Sequence, residues 1–348
     1  MANNRELDKM QVNNVYIPEK FKKAKIPWEG YRIKKEAMGL VQKVFFISLV
    51  VGLCFIILYP LLKLFPTVFG EMSDLGNPDV VWIPKEFSTV SFKAAFKIAM
   101  GGSIGSLVIS VLYALSITAI QIFMSAMAGY SIARINFRGR NIIFALVVLT
   151  ILVPPQALLI SQYLHFKQFD VLGLITMFTG GTIDLINKPY VLYLMAFLGF
   201  GLKQGLFIFI FRQFFITMPN EFEEAAVIDG CGFYRTYFKI MLPNAMPPVM
   251  TVGVLSFVWN YGDVYYTNYF HPDGPYLSVI LQRMFDPTRR EAINDALFKH
   301  FDIFLTNQMT FDATKQAALF IFLIPLLIIY FLAQRKLVEN LERSGIVG

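Results

Sequence analysis

The chain has 348 residues, of which 56% are hydrophobic and only 16% are charged, and its formal net charge is +7. Soluble domains average about 25% charged residues. The composition therefore excludes an ordinary soluble domain and predicts a polytopic membrane protein. The sequence contains no nucleic-acid-binding motif, so we attribute the basic excess to membrane topology and expect no nucleic-acid partner.

The first 43 residues are polar and contain ten Lys or Arg. They lack an apolar core followed by a small-residue cleavage site, so we expect no cleavable signal peptide. Further Lys and Arg residues follow the second, fourth and sixth apolar segments described below. The positive-inside rule then places both termini and the segment 217–243 in the cytoplasm.

Six apolar segments are each long enough to cross a bilayer core, which takes roughly 20 residues of helix. They are 44–65, 101–132, 142–163, 190–215, 247–269 and 317–333. Because backbone polar groups must be satisfied within lipid, we expect helices and an all-α fold with six transmembrane helices. Pro154 and Pro155 interrupt the third segment, and glycines with Lys203 interrupt the fourth, which leaves its start open between Tyr190 and Gly205.

Two cysteines occur, Cys54 within the first segment and Cys231 in the segment predicted to be cytoplasmic. Neither location favours a disulfide, so we expect two free thiols.

The segment 217–243 predicts two short helices joined by a turn. Asn220 and Glu223 have capping-box spacing, although Pro219 is an alternative first helical residue. Phe222, Ala225 and Ala226 fall on one helix face, with Glu221 and Glu224 outside it.

Gly230 is a natural helix stop, because glycine adopts positive backbone dihedrals without a side-chain clash. A second helix, roughly 233–241, should end before Pro243.

The residues of this segment resemble the Glu-Ala-Ala loop of the membrane subunits of binding-protein-dependent ABC importers. The matching residues are Glu224, Ala225, Ala226, Asp229, Gly230, Ile240, Leu242 and Pro243. The resemblance implies a cytoplasmic loop that the ATPase subunits grip. The alternative is a surface helix–turn–helix without a partner.

The likeness extends from about 101 to 348 and is closest to the carbohydrate branch, in particular to the maltose-type second permease subunit. It rests on Arg134–Arg140 after the second segment, Val153–Gln156 in the third, Phe211–Phe215 before the loop, and the short C-terminal tail. Together with the apolar segments and the distribution of Lys and Arg, it predicts a cytoplasmic tail 1–43, a first helix 44–65, an extracytoplasmic loop 66–100, a permease domain 101–334 and a cytoplasmic tail 335–348. The loops at 66–97, 164–188 and 271–312 are not explained by it.

The resemblance also suggests candidate residues for the substrate pathway. The family often carries Trp followed by Asn-Asp within the fifth span, where this chain has Trp259, Asn260 and, after two further residues, Asp263. Either Asp263 matches that Asp, or Trp259-Asn260 is the matching pair with changed spacing. We add Gln156 beside the proline pair and Lys203, which lies either in the pathway or at the external interface. Packing between spans is the alternative role for Asn260.

Enzyme chemistry is not indicated. No GxxxxGK[ST] phosphate loop is present, and the three histidines, His165, His271 and His300, lack metal-ligand spacing. The glycine-rich stretch 101–105 fits close helix packing better than a phosphate cradle. We therefore expect no catalytic residue, no metal site and no cofactor in this chain, with ATP and Mg bound by the partner ATPase.

The interpretation that follows is a permease subunit of an ATP-driven importer in the cytoplasmic membrane of a bacterium, carrying a sugar or oligosaccharide. The implied partners are a dimer of ATPase subunits, a second and different permease subunit, and an external solute-binding protein. Two alternatives stay open: an ABC permease for a non-sugar solute, and an ion-coupled secondary transporter. The latter usually needs intramembrane carboxylates and an internal repeat, and only Asp263 meets the first requirement.

Overall fold

A computed structural model describes residues 28–71, 73–75, 77–99, 105–171, 173–301 and 308–345. Residues 1–27 of the predicted N-terminal tail, the glycine-rich stretch 101–104 at the predicted start of the second span, and 346–348 lie outside these ranges. Within them the chain forms helices and isolated β-bridges but no strand, which agrees with the all-α prediction.

Fifteen α-helices are described in these ranges. They are α1 Trp28–Phe69, α2 Val90–Ala99, α3 Ser106–Arg134, α4 Arg140–Leu152, α5 Pro155–Lys167, α6 Leu174–Thr179, α7 Pro189–Phe197, α8 Gln204–Thr217, α9 Glu221–Ile228, α10 Phe233–Thr236, α11 Met246–Tyr261, α12 Tyr265–Phe270, α13 Leu277–Met284, α14 Arg290–Phe301 and α15 Gln308–Gly345. The three-residue helical turn Leu242–Asn244, between α10 and α11, is not given a number of its own.

The chain separates into two units, Met1–Leu62 and Lys63–Gly348. The described part of the first unit is a single helix, the portion of α1 up to Leu62, whose apolar side chains are exposed between Leu40 and Leu62. Such a helix is hydrophobic all round, as expected of a segment that faces lipid.

Three described helices, each of which overlaps a predicted span, are long and apolar enough to cross a membrane: the portion of α1 from Gly39, α3, and α15 up to Arg335. Two bent pairs would raise the number to five, and α8 is a shorter apolar helix of 14 residues. The structure therefore does not fix the number of spans at six.

The third predicted span is not a straight helix. Helices α4 and α5 meet at 108° beside Pro154 and Pro155. Pro155 opens α5, where its missing N–H is not needed, so the proline pair ends one helix and starts another.

The fourth predicted span is also broken. Helix α7 ends at Phe197 and α8 begins at Gln204, so the structure agrees with the later of the two starts that the sequence left open. Gly199 has φ 87°, a conformation that glycine adopts without a side-chain clash.

The centre of the second unit is α3, which packs against α8 and α11. The backbone of α3 approaches α8 closely at Gly129, where a Cβ atom would lie 2.7 Å from Phe211 Cβ and 2.9 Å from Arg212 N. Any larger residue would push the two helices apart. Phe207, Phe211 and Phe215, one turn apart along α8, are completely buried in this interface.

Candidate coupling loop and transport pathway

The segment 217–243 forms two short helices joined by a tight turn. Helix α9 ends in a Schellman motif, in which Cys231 N–H bonds Ala226 O at 2.8 Å and Gly230 N–H bonds Val227 O at 3.0 Å. Gly230 has φ 70°, which confirms the positive dihedral predicted for the helix stop. The chain then runs through Gly232 into α10.

The predicted capping box at the start of α9 is wrong. The helix begins at Glu221, and the Asn220 side chain accepts a hydrogen bond from Arg134 rather than from the helix backbone. The Glu223 side chain likewise turns to Tyr130 and Arg134. Arg134, on α3, therefore binds both side chains that a capping box would have directed to the helix backbone.

The face of α9 that Phe222, Ala225 and Ala226 share is not buried as a whole. Ala226 is fully buried, but Ala225 is exposed and Phe222 is 40% exposed. Because Glu223 is drawn towards α3, the buried face runs through Glu223 and Ala226. Glu221 and Glu224 are exposed, as expected.

The second helix does not end before Pro243. Tyr237–Met241 forms a short π-helix, and an α-helical turn Leu242–Asn244 follows, with Pro243 in its first positions. Proline lacks the N–H group that a helix interior uses, and the π-helical turn immediately before it is the irregularity of this helix. The chain then bends by 74° into α11.

Arg134, the last residue of α3, holds the beginning of the loop. Its Nε donates to Phe215 O at 2.9 Å, and its two terminal nitrogens donate to Met218 O and to the Asn220 side chain. Phe215 O and Met218 O lie at the C-terminal end of α8, where carbonyl groups lack helical partners and a cation is favoured. Arg134 therefore caps α8 and ties it to α9.

Tyr130, one turn earlier on α3, contacts both helices of the loop. Its hydroxyl donates to Glu223 Oε1 at 2.8 Å, and its ring lies 5.6 Å from that of Phe233 and 5.0 Å from that of Tyr237, centroid to centroid. Glu223 Oε2 lies 3.8 Å from Arg134. We call Tyr130, Arg134 and Glu223 the α3 clamp. From the sequence, Arg134 was assigned to topology and to the family likeness, Glu223 was assigned to a capping box, and Tyr130 was missed, because partners about 90 positions apart leave no local pattern.

The outer surface of the loop exposes both charge and apolar area. Val227, Ile228 and Tyr234 are 70%, 85% and 74% exposed. Among the residues carried over from the family, Glu224, Ala225, Asp229, Gly230 and Pro243 are exposed, Ile240 is partly buried and Ala226 is buried. An exposed apolar patch rimmed by charges is typical of a protein-binding surface.

Two cavities lie beside the breaks between α4 and α5 and between α7 and α8. The first, of about 320 Å³, is lined by residues of α4, α5, the break 199–203, α8 and Tyr266; we call it the break cavity. The second, of about 350 Å³, is lined by Gln156, Lys203 and Asp263 together with apolar and aromatic residues. The structure thus brings three of the five predicted pathway residues to one cavity.

Lys203 lines both cavities and immediately precedes α8. Its Nζ lies 6.0 Å from the Trp259 ring centroid, so Trp259 is adjacent to the pathway candidates although it lines neither cavity. Trp259 also stacks on Phe207 with centroids 5.8 Å apart.

Asp263 lines the second cavity and also caps a helix. Its carboxylate accepts the backbone N–H of Thr267 at 2.8 Å and of Tyr266 at 3.3 Å, at the start of α12. A carboxylate at a helix N-terminus satisfies orphan donors and complements the helix dipole. Asp263 therefore fixes the chain between α11 and α12.

Asn260 lies apart from both cavities. It is 5% exposed and donates to Gln121 Oε1 at 2.9 Å, which also accepts from Ser256 at 2.6 Å. Gln121 Nε2 in turn donates to Leu202 O at 3.0 Å. This buried network joins α3, α11 and the break before α8, which is the packing role that the sequence left open for Asn260.

Residues 121–343 match the family described as "binding-protein-dependent transport system inner membrane component". Among curated relatives, a probable starch degradation products transport system permease of Thermoanaerobacterium thermosulfurigenes is 27% identical over 76% of this chain and 82% of its own. An arabinooligosaccharides transport system permease of Halalkalibacterium halodurans is 26% identical over 85% and 93%, respectively. A diacetylchitobiose uptake system permease of Streptomyces coelicolor is 25% identical over 91% and 100%.

A solved bacterial ABC transporter involved in the import of the acidic polysaccharide alginate contains a chain of the same fold. The TM-score is 0.60 at 17% identity, with 87% of this chain and 97% of that chain covered. The family match extends from the middle of α3 through the loop and α11 to the last helix, which is more than half of the sequence. The chain therefore belongs to the family of inner membrane components of binding-protein-dependent transport systems.

Proposed function

We propose that this chain is a permease subunit of an ATP-driven ABC importer that carries a sugar or oligosaccharide delivered by an external solute-binding protein. The family match carries the proposal. The names of three relatives, which refer to starch degradation products, arabinooligosaccharides and diacetylchitobiose, support carbohydrate as the solute. A binding-protein-dependent family also argues against the ion-coupled secondary transporter.

The loop 217–243 is the proposed docking site for the partner ATPase, and the proposed orientation places it with both termini in the cytoplasm. The residues that would meet the ATPase are the exposed ones, with Glu224 and Ile228 on the first helix and Tyr234 on the second. Because the α3 clamp holds both loop helices, displacement of the loop would be transmitted to α3 directly. ATP and Mg would bind the partner chain, so this chain contributes no catalytic group.

The two cavities beside the helix breaks are the proposed part of the sugar pathway. Gln156 and Lys203 offer hydrogen-bond donors, and Tyr265 and Tyr266 offer aromatic faces for the apolar faces of sugar rings. Polar side chains within a membrane domain are costly unless they face water, a partner or a ligand. A second, different permease subunit would supply the rest of the pathway.

The test is transport by the complete system. Proteoliposomes that contain this chain, its partner permease and ATPase, with the binding protein added, should take up a labelled arabino-, malto- or chito-oligosaccharide only with ATP. Glu224→Lys reverses an exposed charge on the loop and should abolish uptake and the stimulation of ATP hydrolysis by loaded binding protein. Glu291→Lys, an exposed acidic position on α14, is the matched control and should transport normally.

Two outcomes would contradict the proposal. If loaded binding protein stimulated ATP hydrolysis normally in the Glu224→Lys variant, the loop would not be the ATPase contact. Failure to take up any carbohydrate, with uptake of a solute of another class, would remove sugar as the substrate.

A further inference from the structure

Arg212 lies on α8 and is held against α4 by an aromatic ring. Its guanidinium carbon Cζ is 3.5 Å from the ring centroid of Phe144, and that ring is also stacked with the ring of Phe209, centroids 6.0 Å apart. A guanidinium that lies on a fixed ring keeps its plane and presents its N–H groups at the edge. The orientation of Arg212 is therefore set by apolar contacts.

No carboxylate compensates this charge in the part of the chain that the structure describes, because Arg212 forms no salt bridge there within 4 Å. The charged group that acts on Arg212 is another cation, Arg140, which lies one helical turn before Phe144 on α4. Within the described ranges Arg140 also lacks a carboxylate partner, and its Nη1 donates to the uncharged Asn136 Oδ1 at 2.9 Å. Two neighbouring like charges without a counter-ion favour an anion from outside the chain.

Both arginines are partly buried but keep N–H groups that an anion can reach. The Nε of Arg212 is enclosed and is not available to a ligand. Its Nη1 makes only a long contact of 3.4 Å with Gln213 Oε1, and its Nη2 is not enclosed and has no acceptor among the described residues. The Nε and Nη2 of Arg140 are open in the same way. A phosphate group accepts several such charge-assisted hydrogen bonds at once.

The two arginines lie at the end of a helix that faces lipid. Arg140 is the first residue of α4, and Arg212 is in the last two turns of α8. None of the 13 residues of α4 is buried, and all of them except Arg140, Asn141 and Thr150 are apolar. An unburied helix of this composition is expected to contact acyl chains. Its arginine end therefore lies at the membrane boundary that we predict to be cytoplasmic, where lipid phosphates are found.

An apolar stripe runs along α4 away from the arginines. Ile142, Leu146 and Leu149 are each more than half exposed, and their spacing places them on one face of the helix. A free phosphate ion would leave this stripe uncovered, whereas an acyl chain attached to the phosphate would cover it. The arginines and the stripe together therefore fit an anion that carries a hydrocarbon chain.

We propose that Arg140 and Arg212 bind the phosphate of an anionic phospholipid of the cytoplasmic leaflet, and that one of its acyl chains lies along the stripe of α4. A surface hollow of about 560 Å³, lined by residues 136–142, takes the headgroup. Because Arg140 belongs to α4 and Arg212 to α8, the bound lipid joins the cytoplasmic ends of the two helices. The inference goes beyond the proposed function and does not depend on the transported solute.

Native mass spectrometry of the assembled transporter measures this binding. The transporter is delipidated in detergent and titrated with phosphatidylglycerol and, separately, with phosphatidylcholine of the same acyl chains. Phosphatidylglycerol should bind with an affinity on the order of tenfold higher, because its phosphate has no choline cation that competes with the arginines. An excess of inorganic phosphate should not displace it, since phosphate alone does not cover the apolar stripe.

Variants locate the site. Arg140→Met and Arg212→Met should each weaken phosphatidylglycerol binding several-fold, leave phosphatidylcholine binding unchanged, and together abolish the preference. Arg212→Lys should retain part of the preference, since an ammonium group keeps the charge but not the planar fork. Lys43→Met removes an exposed cation at the predicted cytoplasmic end of the first span and should have no effect.

Equal affinity for the two lipids, or an unchanged preference in Arg140→Met and Arg212→Met, would overturn the proposal. Displacement by inorganic phosphate would make the ligand a free anion and not a lipid. Loss of the partner permease from the variants, with lipid binding unchanged, would assign the arginines to an acidic group of that subunit. The single variants decide the outcome if the double variant does not assemble.

Discussion

At the scale of single residues, Gly230 is a position where the loop 217–243 depends on backbone conformation. A Cβ atom there would meet nothing within 4 Å, so the only obstacle to a larger residue is its φ of 70°. Gly230→Val should therefore cost roughly 1–2 kcal/mol of local strain and misalign the second loop helix. The expected result is a transporter that reaches the membrane but loses uptake and substrate-stimulated ATP hydrolysis.

Gly232 offers a matched control two residues away. It also has open space around it, but its φ is −74°, which any residue adopts. Gly232→Val should transport nearly normally, and Gly230→Asn should be intermediate because asparagine tolerates the left-handed region. If Gly230→Val and Gly232→Val behaved alike, backbone strain would not explain the role of Gly230.

Roles of single residues could be predicted from the sequence only where the interacting groups lie close together along the chain. The positive dihedral at Gly230 could be predicted because a helix stop is a local property. The capping role of Asn220 was predicted wrongly, because Arg134, 86 positions earlier, takes that side chain. No pattern in the neighbourhood of either residue encodes such a contact.

At the scale of elements, the α3 clamp joins both helices of the loop 217–243 to the end of α3. Arg134→Met removes three donors to Phe215 O, Met218 O and Asn220, and hydrogen bonds to charged groups contribute about 1.5–3 kcal/mol each. We expect basal ATP hydrolysis to persist and its stimulation by loaded binding protein to be lost, measured in proteoliposomes.

Two further variants test the clamp. Arg134→Lys should restore function only in part, since an ammonium group cannot reproduce the planar fork that reaches separate acceptors. Arg138→Met removes an exposed arginine four residues on and should be neutral. Normal coupling in Arg134→Met would mean that the clamp does not transmit the loop's movement.

The interruptions of the spans could be predicted from the sequence, but their geometry could not. Proline and glycine positions indicated where the third and fourth spans are interrupted, but not the 108° bend between α4 and α5. The angle depends on which neighbours satisfy the freed backbone groups, and those neighbours come from distant parts of the chain. For the same reason, Gln156, Lys203 and Asp263 could be proposed one by one, while their meeting at one cavity required the structure.

At the scale of the whole molecule, composition was enough to predict the membrane class, and the fixed spacing within 224–243 was enough to predict the family. Both signals are summed over many residues, so individual errors do not matter. The orientation rests instead on the distribution of Lys and Arg, and this prediction still requires an experiment.

Cys231 allows the orientation to be measured. It is a free, partly exposed thiol in the loop 217–243, and the other cysteine, Cys54, can be removed as Cys54→Ser. If the loop is cytoplasmic, a membrane-impermeant maleimide should label this variant in inverted vesicles but not in intact cells. Asp295→Cys in a background without the native cysteines is the control, because Asp295 is exposed in the segment 271–312, which we predict to be external. The control should show the opposite labelling, and labelling of Cys231 from outside intact cells would reverse the orientation and detach the loop from any cytoplasmic ATPase.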